Sequence, residues 1–215
     1  MNAAWVASST TEVGSFGEMT LSGEGTRLEI LSRAGFKGNM RVGYDGNALV
    51  SVQDGAMLIN ANQLDIATNA GSSGVLAIGA QEGDAPVAPG YVSSANGIYF
   101  GEGDASLVFN HTSDDYVFDQ TLFGVGGEIR QLAGTTVYTG DGSGFDGSTS
   151  VLGGTLVVNS TLGGLIDVGS GGVLSGSGKI GAMTAKAGSV VAPGNSIGTL
   201  SVGGVGSRTW QMGAQ

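Results

Sequence analysis

The carboxyl-terminal part of the chain, 147–204, alternates short apolar runs with glycine steps. The runs are rich in leucine or β-branched residues and lie at 156–158, 165–168, 173–174, 190–191 and 200–202. Leu156 and Ile166 are ten positions apart, and Ile166 and Leu174 are eight apart. Runs this short predict strands joined by tight turns, because a helix needs about 10 residues or more without such breakers.

Two all-β architectures give this spacing: a sandwich or barrel built from hairpins, and a parallel solenoid. Hairpins favour Asn-Gly or Asp-Gly at an isolated tip between strands of about five residues or more. Here the strands are shorter and the glycines recur at one phase of every step. This favours an all-β fold of the right-handed parallel β-helix type, in which each strand stacks about 4.8 Å from its counterpart in the next coil.

The segment 17–78 contains an internal repeat. Residues 41–56 align with 65–80, so that Val42 matches Ile66, Val50 matches Leu76 and Val52 matches Ile78. The first pair is offset by twenty-four positions and the other two by twenty-six. This spacing predicts stacked coils with a period of about 25 residues, because inward side chains of one coil lie on those of the next.

A third copy of the repeat, 99–110, extends the predicted stack. It places Phe100 at the position of Val42 and Leu107 at that of Leu49. Two further runs, 19–23 and 28–32, are predicted strands of an earlier coil. Coils of about 20–25 residues would give about nine coils in the whole chain.

The rhythm breaks at 81–96, which holds two of the three prolines. Proline cannot donate a hydrogen bond to a sheet, so this segment is predicted to be a loop that protrudes from the stack. A linker between separate domains is the alternative, but the strand pattern resumes at Ile98. We therefore expect one continuous solenoid.

Four segments carry a family resemblance: TTVYTGDGSGFDGSTSV (135–151), GGTLVVN (153–159), GGVLSGSGKIG (171–181) and AGSVVAPGNSIGTLSVGG (187–204). They closely resemble the passenger-associated repeats of bacterial monomeric autotransporters, the surface and secreted proteins of type V secretion. The run APGNSIGTL (192–200) is the most specific element. The resemblance is strong over about 124–204 and weaker upstream.

The resemblance implies three regions. Residues 1–123 would form β-helical passenger coils with the loop at 81–96, and 124–206 would be the repeats that assist folding just ahead of the translocating barrel. The segment 207–215 departs from the glycine rhythm and from the family pattern. We predict that this tail is disordered.

Composition predicts a folded chain. Glycine accounts for 42 of 215 residues, apolar residues for 40% and charged residues for only 12%, which is too apolar for disorder. Cysteine is absent, which excludes disulfides and thiolate metal sites and suits a chain that crosses an outer-membrane pore unfolded. The sequence has neither a signal-peptide pattern nor a stretch of about 18 apolar residues, so we expect no membrane insertion by this segment and place the export signal and the barrel outside it.

The net charge of −10 argues against nucleic acid and against an anionic membrane as partners, because both attract clustered Lys and Arg. Four of the eight basic residues nevertheless fall in one stretch: Arg27, Arg33, Lys37 and Arg41. We interpret them as a solvated face that offsets the acidic remainder. A patch for acidic glycans is the alternative.

The single histidine, His111, lies in the most polar stretch of the chain. A Ser-His-Asp hydrolase would need it beside a serine and one of Asp114, Asp115 or Asp119. No G-x-S-x-G nucleophile elbow is present, so these residues are predicted to cap a turn before a strand at 116–118.

The segment 142–146 matches the core of a calcium-binding nonapeptide, but such a site needs tandem copies and only one is present. We therefore assign no catalytic, cofactor-binding or metal-binding residue and no cofactor.

The family resemblance implies a structural stalk or adhesin, displayed at a bacterial cell surface and outer membrane or secreted. Expected partners are host surface or matrix components, other copies of the chain, and the protein's own translocating barrel. A glycan-cleaving β-helix enzyme is the alternative. Such enzymes need clustered acids, a basic residue and a groove built by long loops. Fold alone does not imply function, so a β-helix by itself does not favour the enzyme.

Overall fold

The computed structural model describes residues 3–6, 15–32, 38–194, 198–203 and 209–211, with side chains for all of these except 3–6 and 209–211. Every regular element in these ranges is a β-strand, and no helix there is long and apolar enough to span a membrane. The predicted all-β class is confirmed.

The strands are β1 (Ala3–Val6), β2 (Phe16–Ser22), β3 (Arg27–Ile30), β4 (Asn39–Val42), β5 (Asn47–Gln53), β6 (Met57–Asn60), β7 (Leu64–Ile66), β8 (Ser73–Gly79), β9 (Tyr91–Ser94), β10 (Ile98–Phe100), β11 (Asp104–Asn110), β12 (Tyr116–Phe118), β13 (Leu122–Gly124), β14 (Glu128–Ala133), β15 (Thr135–Tyr138), β16 (Asp141–Gly142), β17 (Gly144–Phe145), β18 (Ser148–Val151), β19 (Thr155–Val158), β20 (Thr161–Val168), β21 (Val173–Gly176), β22 (Lys179–Ala185), β23 (Val190–Pro193), β24 (Thr199–Val202) and β25 (Thr209–Gln211).

The strands form four sheets that the chain visits in turn. The first has the order β1-β4-β7-β10-β13-β17, and the second has β2-β5-β8-β11-β14-β18-β20-β22-β24-β25 with β16 beside β20. The third, β3-β6-β9, and the fourth, β12-β15-β19-β21-β23, occupy the remaining side. Pairing is parallel except between β24 and β25, and this succession is consistent with the predicted parallel β-helix.

The register confirms most of the predicted repeat. Val42 pairs with Ile66, Val50 with Leu76, and Val52 with Ile78, and Phe100 pairs with Ile66 as the third copy requires. The predicted position of Leu107 is wrong by one residue. Leu107 pairs with Leu76 and so stands in line with Val50, whereas Ser106 stands in line with Leu49.

The number of residues in each circuit of the chain through the sheets falls towards the carboxyl end. Along the second sheet, Val50 follows Met19 by thirty-one positions, Leu76 follows Val50 by twenty-six, and Leu107 follows Leu76 by thirty-one. The later circuits take twenty-two, twenty, seventeen and seventeen positions, through Ile129, Thr149, Ile166 and Met183.

A continuous core fills the space between the sheets. It contains fully buried side chains from nearly every circuit, and the largest are Phe100, Phe109, Phe118 and Phe145. Phe109 and Phe118 meet edge to face, with ring centroids 5.1 Å apart. Aromatic rings therefore concentrate in the middle circuits.

The predicted loop at 81–96 is shorter than expected. Its second half is β9, which pairs in parallel with β6. The irregular part is tied to both neighbouring circuits, since Asp54 N donates to Ala88 O at 2.8 Å and Thr112 N donates to Val87 O at 3.0 Å.

This loop extends across the outer face of the second sheet. Gln81 Nε2 donates to Glu18 Oε1 at 2.8 Å, and Arg130 lies 2.7 Å from Glu82. In the second sheet, β2 with Glu18 and β14 with Arg130 each lie two strands away from β8, in opposite directions. The strands between β2 and β14 have buried side chains on this outer face, namely Ser51, Ala77 and Val108.

The prediction of a disordered tail is wrong for 209–211. These residues form β25, which runs antiparallel to β24 with Leu200 opposite Trp210. The rest of the tail, 207–208 and 212–215, lies outside the described residues.

Candidate functional site

His111 directly follows β11 and is buried, with none of its surface exposed. Its Nε2 is 2.9 Å from Thr136 Oγ1, which is also fully buried. The Phe109 ring packs edge-on at 6.5 Å and the Tyr116 ring lies at 5.2 Å. Burial lowers the pKa of His111 to about 4, against the smaller opposing effect of a hydrogen bond with the Ser113 backbone. The imidazole is therefore neutral at pH 7.

The structure does not assemble these residues into a hydrolytic triad. Asp114, Asp115 and Asp119 are exposed, whereas His111 is closed to solvent. Asp115 accepts from Ser113 Oγ at 3.2 Å, and Asp119 accepts from Gln120 Nε2 at 2.6 Å. The hydroxyl that contacts His111 belongs to Thr136, which is fully buried, so substrate cannot reach it. The region forms the predicted turn ahead of β12.

The described members of the basic stretch are paired with acids. Arg41 Nε donates to Asp65 Oδ2 at 3.2 Å across the outer row of the first sheet, and its guanidinium lies 5.1 Å from the Tyr44 ring. Burial raises the pKa of Asp65, and hydrogen bonds from Gln63 and Arg41 oppose that rise. Arg27 is ion-paired with Glu29. Arg33 and Lys37 lie outside the described residues.

The segment that resembles a calcium-binding repeat forms two short strands, β16 and β17, around a tight turn. Asp141 Oδ1 accepts from Ser143 N at 2.9 Å, and this bond lowers the pKa of Asp141. Asp146, at the end of the motif, is exposed. Over the described ranges, no group of three or more His, Cys, Asp or Glu side chains is placed to hold a metal ion.

A different surface stands out on the side formed by the third and fourth sheets. Eight strands follow one another there: β3, β6 and β9 of the third sheet, then β12, β15, β19, β21 and β23 of the fourth. From β6 to β23 the paired outward side chains of seven strands are uncharged. Between β9 and β12 the ladder is interrupted, and the Ser94 amide donates instead to Gln120 Oε1 at 2.7 Å.

The outward side chains of these seven strands form two columns. One contains Met57, Tyr91, Thr135, Thr155, Val173 and Val190. The other contains Ile59, Ser93, Val117, Val137, Val157, Ser175 and Ala192. None of the thirteen is charged, but both columns border charged residues. On β3, Arg27 pairs with Met57 and Glu29 with Ile59. The exposed Asp115 precedes Tyr116 of β12 as Thr135 precedes Thr136 of β15. We call this surface, from Met57 to Ala192, the uncharged face.

Several members of the uncharged face are well exposed, including Val117 at 57% and Val190 at 50%. Charged residues make up only 12% of this chain, so about one or two charges would be ordinary among thirteen positions. The other two sides carry charges on their outer rows, such as Arg41 and Asp65 on the first sheet and Glu18 and Arg130 on the second. The signal was present in the sequence as T-x-V, V-x-S and V-x-A runs, but only the sheet order brings them together.

The chain is similar to parts of three longer bacterial proteins. It is 29% identical over 161 residues to the uncharacterized lipoprotein YdeK of Escherichia coli (strain K12), covering 72% of this chain and 12% of that protein. It is 28% identical over 138 residues to the uncharacterized protein YuaQ of the same strain, covering 53% and 10%. It is 36% identical over 94 residues to an extracellular serine protease of Serratia marcescens, covering 42% and 9%.

The chain thus spans about a tenth of the length of these curated relatives. No protein-family model matches it, and no solved structure matches it. The comparisons therefore establish weak homology to a lipoprotein and to part of an extracellular protease.

Proposed function

We propose that this chain is a segment of an autotransporter passenger, in which a right-handed parallel β-helix forms a structural stalk and adhesive scaffold. The segment would be displayed at a bacterial cell surface or secreted by the type V route. Host surface or matrix components would be its partners.

The observation that carries the proposal is the unbroken parallel stack. Nine successive strands, β2 to β24, align in parallel along the second sheet over one continuous core. Stacks of this kind are quasi-one-dimensional, so each circuit contacts only its neighbours and length can be extended without changing the fold. The printed names of two relatives, a lipoprotein and an extracellular protease, fit a surface or secreted setting.

We propose that the segment itself is not an enzyme. Its only histidine is neutral at pH 7 and is sealed between aromatic rings, and the neighbouring aspartates face away into solvent. A general base must lie within hydrogen-bond reach of the proton that it takes from substrate. The glycan-cleaving alternative gains no support from the described part of the chain.

We also propose that the carboxyl-terminal repeats assist folding. Their circuits are the shortest of the stack, so each new strand finds its partner after a short loop closure. Short closures cost less chain entropy and favour fast folding.

Surface display is tested with antibodies raised against residues 38–194 and applied to intact cells of the organism that encodes the chain. We expect labelling of unbroken cells, or antigen in the medium, and loss of the cell label after external protease. A periplasmic protein serves as the control that the cells are intact. Label that appears only after lysis would refute display and secretion together.

A further inference from the structure

We propose that the outer face of the first sheet holds a binding site for a neutral sugar ring, at the place where Phe123 is followed by Gly144. The ligand class is an uncharged hexopyranose whose hydroxyl groups are equatorial, such as a β-linked glucose unit of an oligosaccharide. The inference rests on the proposed function for its setting and deepens it, because it names the kind of surface component that the scaffold would bind.

The outer row of the first sheet changes character at Phe123. Its members, in strand order, are Arg41, Asp65, Tyr99, Phe123 and Gly144. Arg41 and Asp65 are ion-paired, and the Tyr99 and Phe123 rings pack against each other with centroids 5.4 Å apart. A glycine then takes the next place, so the row of stacked side chains stops at the Phe123 ring.

One face of the Phe123 ring is left open by this arrangement. A Cβ on Gly97 would lie 3.2 Å from Phe123 Cε1, so the ring leans towards β10 and Tyr99. On its other side Gly144 is exposed, and the side-chain atom nearest to its missing Cβ is Phe123 Cβ at 3.1 Å. Among the described residues β17 is the last strand of this sheet, so no further strand of the sheet supplies a side chain to cover the ring.

A short bulge beside Gly144 supplies polar groups. Between Gly140, which stacks on Gln120, and Gly144 the chain has three residues, one more than the preceding circuit has at this place. An extra residue of this kind bends the strand and turns side chains outward. Asp141 and Ser143 are exposed there, and Asp141 Oδ1 accepts from Ser143 N at 2.9 Å. A carboxylate held in this way can accept further hydrogen bonds from hydroxyl groups.

These features favour a neutral sugar over other ligands. The axial C–H groups of such a hexopyranose pack on the electron-rich face of an aromatic ring, while its hydroxyl rim donates to a carboxylate. One place in the row is about 4.8 Å deep, which takes one ring, whereas a protein interface buries about 800 Å² per partner. Acidic sugars are repelled, because the exposed Asp141 and Asp146 lie on either side of Gly144 in a chain of net charge −10. A basic side chain would lack the several rings of an aromatic cage.

Saturation-transfer NMR of the purified chain with cellotetraose, a neutral β-linked glucose tetramer, tests the proposal. We expect a dissociation constant of roughly 1–10 mM, because a single stacked ring gives weak binding. Gly144 lies outside the left-handed region, so Gly144→Phe can place a second ring on the open face and should weaken binding at least about tenfold, as should Phe123→Ala. Tyr91→Ala removes an exposed aromatic ring from the third sheet and should leave the constant within about twofold.

No transfer to cellotetraose at about 10 mM sugar overturns the proposal, and so does binding that neither Gly144→Phe nor Phe123→Ala weakens. If Phe123→Ala fails to fold, Gly144→Phe decides, because it keeps the Phe123 ring in place. Tighter binding of tetragalacturonate or of an arginine-rich peptide, lost in Gly144→Phe, assigns the place to another ligand class and overturns the proposal as well. Failure here leaves surface display standing, because labelling of intact cells does not depend on sugar binding. A chain found only inside the cell would still bind cellotetraose in this assay, so the two failures are distinguishable.

Discussion

Replacing Gly164 with alanine tests how closely successive circuits are stacked. Gly164 has φ +71°, a conformation that L side chains rarely adopt. A Cβ at this position would also press on the carbonyl oxygen of Gly147 in the preceding circuit. Gly181 repeats the relation one circuit later, since its Cβ would meet the carbonyl oxygen of Gly164. The three glycines form a column in which only hydrogen fits between backbones.

Two costs add at this site. Left-handed backbone costs an alanine about 1–2 kcal/mol, and forcing a methyl group against a packed backbone costs about 1–3 kcal/mol. The lower entropy of the unfolded alanine chain returns about 0.4–1 kcal/mol. We therefore expect Gly164→Ala to lower the free energy of unfolding by about 1–4.5 kcal/mol.

Gly171→Ala is the matched control. Gly171 has φ +88°, in the turn that follows β20, and nothing lies within 4 Å of its missing Cβ. Only the conformational cost applies, so the loss should be about 0–1.5 kcal/mol. Urea unfolding followed by circular dichroism at about 25 °C measures both variants. If the two variants lose the same free energy of unfolding within about 0.5 kcal/mol, the close contact at Gly164 does not contribute to stability.

Three further outcomes are expected. Leu107→Ala should cost about 2–5 kcal/mol and Val75→Ala about 1 kcal/mol in the same urea assay, because Leu107 is fully buried in the core and Val75 is half-buried on the outer face; equal losses would contradict the register. Burial lowers the pKa of His111 from 6.5 to about 4. The free energy of unfolding should therefore not depend on this group above pH 6.5, and it should fall by about 3 kcal/mol as the pH falls from 6.5 to about 4. His111→Gln should flatten that part of the profile, and an unchanged slope would show that the histidine does not cause it. Arg130→Ala removes the ion pair with Glu82, so a Glu-specific protease should cut after Glu82 up to about fivefold faster than in wild type. Cleavage after Glu29, whose ion pair is with Arg27, should not change.

The register of the amino-terminal repeat could be predicted because alternation and turn chemistry agree there. Val50 and Val52 flank an outward serine, so the inward phase of β5 is unambiguous in the sequence. The same phase recurs at Leu76 and Ile78. A one-residue slip would turn every one of these side chains outward, and the burial of a continuous core excludes it.

The slip at Leu107 has two physical causes. The turn between β10 and β11 contains three residues, 101–103, whereas that between β4 and β5 contains four, 43–46. Leu107 is also followed by the apolar Val108, so alternation does not fix the phase of β11. Val108 faces outward and is buried only because the loop after β8 covers that face.

The uncharged face could not be predicted from the chain, because its members are contributed by seven strands scattered from Met57 to Ala192. Each strand alone looks like an ordinary short strand. The number of sheets and the length of each circuit decide which strands share a side, and the circuits shorten by nearly half along the stack. No single sequence period describes the stack, since the first three circuits already take thirty-one, twenty-six and thirty-one positions.

The shortening of the circuits separates the order of folding from the order of stability. Closing a loop of about 17 residues instead of about 31 saves about 0.5 kcal/mol of chain entropy, which favours early formation of the carboxyl-terminal circuits. Burying one additional phenylalanine contributes about 1.5–3 kcal/mol, which is several times larger. The circuit that begins at β10 buries Phe100, Phe109 and Phe118, whereas the short circuits after β19 bury mainly single leucine, isoleucine and valine side chains. The circuits that close most easily therefore bury less apolar surface than the middle circuits do. A role in initiating folding accordingly does not require the carboxyl-terminal repeats to be the last part of the stack to open.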